Sequence, residues 1–205
     1  RASFDITGLV SPGKSTVVAV LIRRNDNPGE VTEQHLNDPD GNGGIIGLDT
    51  PTYVSSIGWN WLPTIRGRNT GITDDVYLSF SGAVRLKDPS ITTQLNLPDT
   101  TLASIRLGIS MENLLQQPVN GTLRISCKYF TADVPVESLN PGETRILEFS
   151  EKDLPYLSVK NPKLWWPNGY GRQMLDTMTF RCSIAGIVTD IIQVTYGVRQ
   201  YEYRY

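Results

Sequence analysis

The chain has 205 residues, which is more than one small β-sandwich needs and enough for two compact domains. With 39% apolar and 20% charged side chains, its composition is that of an ordered globular protein rather than a disordered one. Its net charge of -2 provides no reason to expect nucleic acid or an anionic membrane as a partner.

Residue types that build metal and redox sites are scarce. The single His35 excludes a histidine-rich metal site and disfavours a Ser-His-Asp arrangement, and two cysteines are too few for a disulfide scaffold. No apolar run reaches the ~20 residues of a transmembrane helix. The chain begins Arg1-Ala2-Ser3 without an initiator Met or a signal peptide, so we expect it to be part of a longer or processed protein.

The first predicted domain, residues 1–84, is composed of short strands and loops. Residues 15–22 (STVVAVLI) predict a strand that is apolar on both faces and central in its sheet. Residues 25–42 are polar and predict a long loop, and residues 75–80 predict a further strand. An eight-stranded jelly roll needs about twice the strands found here, so we expect only the C-terminal half of such a domain.

From residue 85 onward, apolar residues alternate with polar ones, as in antiparallel strands with one buried face. Residues 102–111 show this most clearly, with one face formed by Ala103, Ile105, Leu107, Ile109 and Met111. Residues 122–130, 145–149, 174–184 and 187–196 continue the pattern. About seven short strands separated by turns predict an immunoglobulin-like β-sandwich over residues 85–205, and an all-β fold class.

Several segments resemble glycoside hydrolase family 2. Residues 4–10, 12–14 and 17–22 look like late strands of its sugar-binding, galactose-binding-like jelly roll. Residues 58–63 (GWNWLP), followed by 68–72 and 75–78, are similar to the end of that domain in the β-mannosidase and exo-β-glucosaminidase branches. Residues 161–171 (NPKLWWPNGYG) resemble the signature of the immunoglobulin-like domain that comes next. Thr73 departs from the pattern, since the family often has Trp there.

The resemblance implies a chain without catalytic residues of its own. In this family two glutamates on a (β/α)₈ barrel that follows the immunoglobulin-like domain perform the chemistry. The sequence does not alternate strand and helix as a barrel must, so we expect the chain alone to be inactive. The implied partners are carbohydrate and the barrel of the same parent chain, the implied location is periplasmic or secreted, and no cofactor is expected.

The resemblance also implies a role for the loop around Asn60, because in this family that loop tends to approach the active site of the barrel. In an extended segment Trp59 and Trp61 would share a face, and Asn60 would point the other way. An aromatic face can stack on a sugar ring and an amide can bond its hydroxyls, but large aromatic side chains also build cores. We predict a core role for Trp59. For Asn60 and Trp61 both interpretations stay open, and we take these two as substrate-binding residues of the parent enzyme.

One loop partly matches a calcium-binding pattern. Asp38, Asp40, Asn42 and Asp49 fall at positions 1, 3, 5 and 12, with Gly43 at position 6. The flanking residues do not predict the two helices that such a loop joins, and Asp, Asn and Gly are common in ordinary loops. We therefore expect an ordinary loop and no metal site.

Two tryptophans and two cysteines are expected to be structural. Trp165 and Trp166 are adjacent, so one should enter the core while the other covers a neighbouring domain or remains exposed. Cys127 and Cys182 fall on inward strand faces and are expected to be buried and reduced. Their spacing also resembles an immunoglobulin bridge, so a disulfide is the alternative.

The sequence thus predicts a non-catalytic part of a family 2 exo-glycosidase that supports the catalytic barrel and contributes a substrate-side loop. The alternative is a free-standing carbohydrate-binding or adhesion module. The reading frame beyond Tyr205 distinguishes the two, because a βαβ pattern there would support the enzyme, and a stop codon or a further sandwich would support the module.

Overall fold

The structure, a computed structural model, describes residues 3–11, 13–23, 72 and 74–202, together with the backbone of two short strands. These are β1 (Glu30–Val31) and β2 (Gly44–Ile45), which pair in antiparallel fashion. The chain divides into two compact units, residues 1–77 and 78–205.

Residues 15–22 of the first unit differ from the prediction of a buried central strand. They form no strand, and Val17, Val18 and Leu21 are exposed. The physical reason is that no described strand pairs with them. An apolar run predicts burial only where a neighbouring element covers it.

The second unit is a sandwich of two antiparallel sheets. In its described part the strands are β3 (Val84–Asn96), β4 (Asp99–Asn113), β5 (Val119–Ser126), β6 (Thr131–Leu139), β7 (Thr144–Phe149), β8 (Ser158–Lys160), β9 (Asp176–Ile184) and β10 (Ile187–Tyr196). One sheet has the order β10-β9-β5-β6. In the other, β4 lies between β3 and β7 and also pairs with β8, which follows a 3₁₀ turn at Pro155–Leu157. The all-β fold class is confirmed for the residues that the structure describes.

The core lies between the two sheets and follows the alternation read from the sequence. All five predicted inward residues of β4 are at most 3% exposed. The other sheet contributes Leu123, Ile125, Met178 and Phe180, whose side chains are fully buried. Each such side chain stabilises the fold by ~1.5–3 kcal/mol relative to leaving it in water. The sandwich is therefore a scaffold held by its own core.

Strand β3 spans the boundary between the two predicted domains, residues 1–84 and 85–205. Val84, assigned from the sequence to the first domain, begins this strand and is fully buried in the sandwich. Asp88 and Pro89 are accommodated by a β-bulge between Lys87 and Ser90. Proline is tolerated at such a bulge because it has no N–H to give to the strand pairing.

The two cysteines are free thiols, so the predicted reduced state is confirmed, but the prediction that both are buried is wrong for Cys127. Strand β5 ends at Ser126, and the N–H of Cys127 donates to the carbonyl of Phe130 in the turn, which leaves the thiol half-buried. Cys182 is fully buried, and burial raises the pKa of its thiol.

The register of the sheet explains why the cysteines do not pair. Cys182 on β9 lies opposite Leu123 on β5, four positions before Cys127. At ~3.3 Å per residue this places the two Cα atoms roughly 13 Å apart, beyond the ~7 Å that a disulfide can span. Cys182 also lies in the same sheet as β5, the strand that Cys127 directly follows, whereas an immunoglobulin bridge joins two sheets.

Candidate functional site

A concave surface rich in aromatic side chains lies beside the β3–β4 turn. It has a volume of about 360 Å³ and is lined by Leu95, Leu97, Thr100, Leu164, Trp165, Trp166, Pro167, Tyr170, Val198, Arg199, Gln200 and Tyr201. We call this surface the aromatic site. Its volume falls in the ~300–1,000 Å³ range of small-molecule binding pockets.

Short backbone bridges hold the tryptophan segment in place. Leu164 pairs in parallel with Val198, whose carbonyl accepts from the N–H of Trp165 at 2.9 Å. The N–H of Trp166 donates to the carbonyl of Arg172 at 3.2 Å. Beyond it, the N–H of Tyr170 donates to the carbonyl of Pro167 and closes a turn. The segment is therefore fixed at both ends.

The prediction that one of the two tryptophans enters the core is wrong. Trp165 is half-buried and Trp166 is 44% exposed, whereas the neighbouring Leu164 packs against the core. The bridge to Val198 places Trp165 against Gly197, where an added Cβ would lie 2.7 Å from the Cβ of Trp165. Glycine at position 197 permits this close approach, so Trp165 packs on the strand's continuation instead of between the sheets.

Arg199 lies between two aromatic rings of the site. Its guanidinium carbon is 4.7 Å from the ring centre of Trp165 and 5.6 Å from that of Tyr201. Its backbone is held twice by Thr93, whose hydroxyl donates to the carbonyl of Arg199 at 2.8 Å and accepts from its N–H at 3.2 Å. Each cation–π contact at an exposed site stabilises by ~0.5–1 kcal/mol. The arginine is thereby oriented in advance of any ligand.

Gln200 joins the aromatic site to a polar groove on β3 and β4. Its side-chain oxygen accepts from the N–H of Leu95, and its amide donates to a carboxyl oxygen of Glu202 at 3.1 Å. The groove has a volume of about 270 Å³ and is lined by Thr92, Thr93, Gln94, Ser104, Arg106 and Gln200. The aromatic site and a groove of polar side chains that includes Arg106 therefore lie next to each other.

Five carboxyl groups of the described residues have pKa values that hydrogen bonds lower. The pKa of Glu112 is lowered by hydrogen bonds from Lys87 and Arg85, and that of Asp133 by a hydrogen bond from Arg124. Asp99, Glu143 and Asp153 also have lowered pKa values, caused first by backbone N–H groups. A glycosidase general acid needs a raised pKa, so these five carboxyls are suited to structural roles.

Among the residues that the structure describes, no group of three or more His, Cys, Asp or Glu side chains is placed to hold a metal ion. No described residue belongs to a helix that is long and apolar enough to cross a membrane.

The substrate-binding residues predicted from the sequence, Asn60 and Trp61, lie outside the described residues, as do Trp59, His35 and the four oxygen-bearing residues of the calcium-like loop, Asp38, Asp40, Asn42 and Asp49. The aromatic site was not predicted. The sequence predicts only a structural role for its segment at 161–171. Arg199 and Tyr201 lie 28 and 30 positions beyond the end of that segment, so no local pattern connects them to it.

Comparisons with known proteins agree on one family. The sequence model described as Glycosyl hydrolases family 2 matches residues 84–199. A mannosylglycoprotein endo-beta-mannosidase of Lilium longiflorum is 30% identical over 98% of this chain and 21% of its own length. An exo-beta-D-glucosaminidase of Streptomyces avermitilis is 26% identical over 97% of this chain and 19% of its own length.

Solved structures show the same fold. The exo-chitosanase CsxA of Amycolatopsis orientalis aligns with a TM-score of 0.51 at 23% identity, over 58% of this chain and 13% of that one. A further structure of CsxA, described as an exo-beta-D-glucosaminidase, gives a TM-score of 0.58 at 25% identity, over 65% and 15% of the two chains. The chain thus spans about a fifth of the length of the curated relatives it matches.

Proposed function

The chain belongs to glycosyl hydrolase family 2, and on that premise we propose that it is a non-catalytic part of an exo-glycosidase. The catalytic barrel would be another domain of the same protein, and the chain would support it and contribute a loop beside the substrate. The observation that carries this proposal is the extent of the match. Almost the whole chain aligns, but only with about a fifth of much longer glycosidases.

The chemistry of the described residues agrees with a supporting role. The five carboxyls with shifted pKa values are all held in the ionised form by hydrogen bonds. Hydrolysis of a glycosidic bond needs one carboxylic acid that stays protonated near neutral pH. The supporting role depends instead on rigidity, which the continuous core between the two sheets supplies.

The first test asks whether the chain is active by itself. We expect no turnover of nitrophenyl β-mannoside, β-galactoside or β-glucosaminide above background by the 205-residue chain. Turnover of any of them that a point mutation in the chain abolishes would contradict the proposal.

The second test concerns Asn60 and Trp61 in the longer protein. Asn60 would bond a hydroxyl of the non-reducing sugar, and Trp61 would shield that contact from water. A lost hydrogen bond of ~1.4 kcal/mol in the transition state lowers kcat/KM about tenfold. We therefore expect Asn60→Ala to lower kcat/KM by that factor without changing the melting temperature.

Trp59→Ala is the matched comparison, because we propose a core role for that residue. It should reduce the free energy of unfolding by ~3–5 kcal/mol. Kinetics and thermal unfolding of both variants are measured side by side. An Asn60→Ala enzyme with unaltered kcat/KM on its best substrate would show that the loop is only structural.

The second candidate function is a carbohydrate-binding module. The aromatic site favours it, since its aromatic rings lie next to a separate polar groove that shares Gln200 with it. Saturable binding of an oligosaccharide by the chain alone would support this candidate. Such a module could also be part of a larger enzyme.

A further inference from the structure

The dipeptide Asn-Gly occurs twice among the described residues, at Asn168-Gly169 and at Asn120-Gly121. In this dipeptide the backbone nitrogen of glycine can attack the side-chain amide of asparagine, because glycine has no Cβ to shield that nitrogen. The attack requires the asparagine side chain to turn back over the following peptide bond. Its rate therefore depends on how firmly the surrounding structure holds both residues, and the two pairs differ in this respect.

Asn168 and Gly169 are the central residues of a turn that is closed by the N–H of Tyr170, which donates to the carbonyl of Pro167 at 3.1 Å. Gly169 has a φ of +86°, as such a turn requires, and apart from its chain neighbours no described atom lies within 4 Å of the place of a Cβ. Asn168 is exposed, and within the described part of the chain no hydrogen bond is assigned to its side chain or to the N–H of Gly169. The turn can therefore open at a small cost in free energy.

Asn120 and Gly121 are held much more firmly, inside strand β5. The side-chain oxygen of Asn120 accepts from the N–H of Ser138 at 2.6 Å. Gly121 is paired with Ile184 on β9 and with Val136 on β6, and a Cβ at this position would collide with the Ile184 side chain. Because β5 lies between two other strands, this pair can rotate only after a large part of the sheet has opened.

We propose that Asn168 is a site of spontaneous deamidation in this chain, and that the sheet protects Asn120 from the same reaction. The nitrogen of Gly169 forms a bond to Cγ of Asn168, and the bond from Cγ to Nδ2 breaks. Nδ2 leaves as ammonia together with the proton that the attacking nitrogen releases, and a succinimide ring remains. Water then opens the ring at either of its carbonyl carbons, which gives aspartate or isoaspartate. The reaction consumes water alone and needs no enzyme.

The two products alter the turn in different ways. Both replace a neutral amide by a negatively charged carboxylate. Isoaspartate also routes the main chain through the former side chain, which lengthens the backbone between Pro167 and Tyr170 by one carbon atom. Both of these residues line the aromatic site, so the modification changes the segment that builds one wall of it. The modified fraction should increase with the age of the protein.

The test is incubation of the folded 205-residue chain at pH 8.5, followed by proteolysis at acidic pH and mass spectrometry of the peptides. We expect both aspartate and isoaspartate at position 168, formed about tenfold faster or more than at position 120. A factor of ten needs a difference of only ~1.4 kcal/mol in the barrier, which is less than the cost of opening a central strand.

Incubation in guanidinium chloride is the first control, because it removes the fold and keeps the two dipeptides. Asn168 and Asn120 should then be modified at comparable rates. Asn168→Gln is the matched variant. It keeps an exposed amide at the turn, but attack on that amide would close a six-membered ring, which forms much more slowly. We expect this variant to have the melting temperature of the unmodified chain and no modification at position 168.

Three results would overturn the proposal. The first is a rate at Asn168 in the folded chain that does not exceed the rate at Asn120. The second is formation of aspartate without isoaspartate, since direct hydrolysis of the amide gives aspartate alone. The third is an Asn120 that stays unmodified in guanidinium chloride, because its sequence rather than the sheet would then protect it. None of these results affects the proposed function, which is tested by kinetics of Asn60→Ala.

Discussion

The two ends of strand β4 differ in how they use their side chains. At one end Asn113 is 1% exposed, and its amide nitrogen donates to the carbonyls of Gln117, Leu139 and Asn140 at 2.9–3.0 Å. Its side-chain oxygen accepts from the N–H of Leu115. At the other end, where the β3–β4 turn borders the aromatic site, rings and a guanidinium face solvent. At the Asn113 end the polar groups are hydrogen-bonded inside the protein, whereas at the other end aromatic side chains remain exposed to solvent.

The difference separates stability from binding within one domain. Among the described residues no buried side-chain nitrogen or oxygen lacks a hydrogen-bond partner. The Asn113 side chain is therefore fully used within the fold, and replacing it leaves backbone groups without a hydrogen-bond partner inside the protein. The exposed rings at the aromatic end contribute little to the free energy of folding. Substitutions of these rings should therefore leave the fold intact.

The largest effect is expected at Asn113. Asn113→Ala removes a donor from the carbonyls of Gln117 and Leu139 and an acceptor from the N–H of Leu115, whereas the carbonyl of Asn140 keeps the N–H of Glu143. Each buried group left unpaired costs ~1–3 kcal/mol. We expect the free energy of unfolding to fall by about 3 kcal/mol or more, measured by urea denaturation of the chain. Asn96→Ala, an exposed asparagine on β3 near the aromatic end, is the control and should change it by less than about 0.5 kcal/mol. If Asn113→Ala and Asn96→Ala reduced the free energy of unfolding equally, the two ends of β4 would not differ in their contribution to stability.

A smaller, pH-dependent effect is expected at Glu112, beside Asn113. Its carboxylate is 2.6 Å from both Arg85 and Lys87, and these hydrogen bonds lower its pKa from the usual 4.5. A carboxyl with a lowered pKa stabilises the fold above its unfolded pKa, and that contribution is lost as the pH falls through the folded value. Glu112→Gln should therefore be less stable than the unmodified chain at pH 7, by up to ~1 kcal/mol because the pair is partly exposed.

The stability difference at Glu112 should shrink as the pH falls below 4.5 and vanish once the native carboxyl is protonated. Urea denaturation at several pH values measures it. Glu148→Gln on β7 is the control, since no ion pair is assigned to Glu148 in the described part of the chain. A Glu112 difference that stays constant from pH 7 to low pH would mean that the ion pairs contribute nothing.

The smallest effect on stability is expected at the aromatic end. Tyr170 is 81% exposed, so Tyr170→Ala should change the free energy of unfolding by no more than about 0.5 kcal/mol. If the chain is a carbohydrate-binding module, the same variant weakens oligosaccharide binding, so the two measurements together sharpen the comparison. A loss of stability above ~2 kcal/mol would instead show that Tyr170 supports the fold, and that both ends of β4 contribute to stability.

Much of the sandwich could be predicted from the sequence because strand alternation is a local property. The inward face of residues 102–111 is buried as predicted, and the strands predicted at 145–149 and 187–196 agree with β7 and β10 within one residue. A side-chain period of two needs no knowledge of distant residues. The family resemblance also depends on contiguous segments, and the match over residues 84–199 agrees with it.

Other features were decided only by tertiary structure, because they depend on partners far along the chain. Strand β3 passes through Asp88 and Pro89 only because a bulge opposite β4 accommodates them. Cys127 is half-buried because β5 ends one residue earlier. The aromatic site exists because the pairing of Leu164 with Val198 brings Arg199 onto Trp165. The sequence by itself determined the all-β class and the buried face of the strands. Contacts between distant segments decided which exposed aromatic side chains lie together beside Arg199.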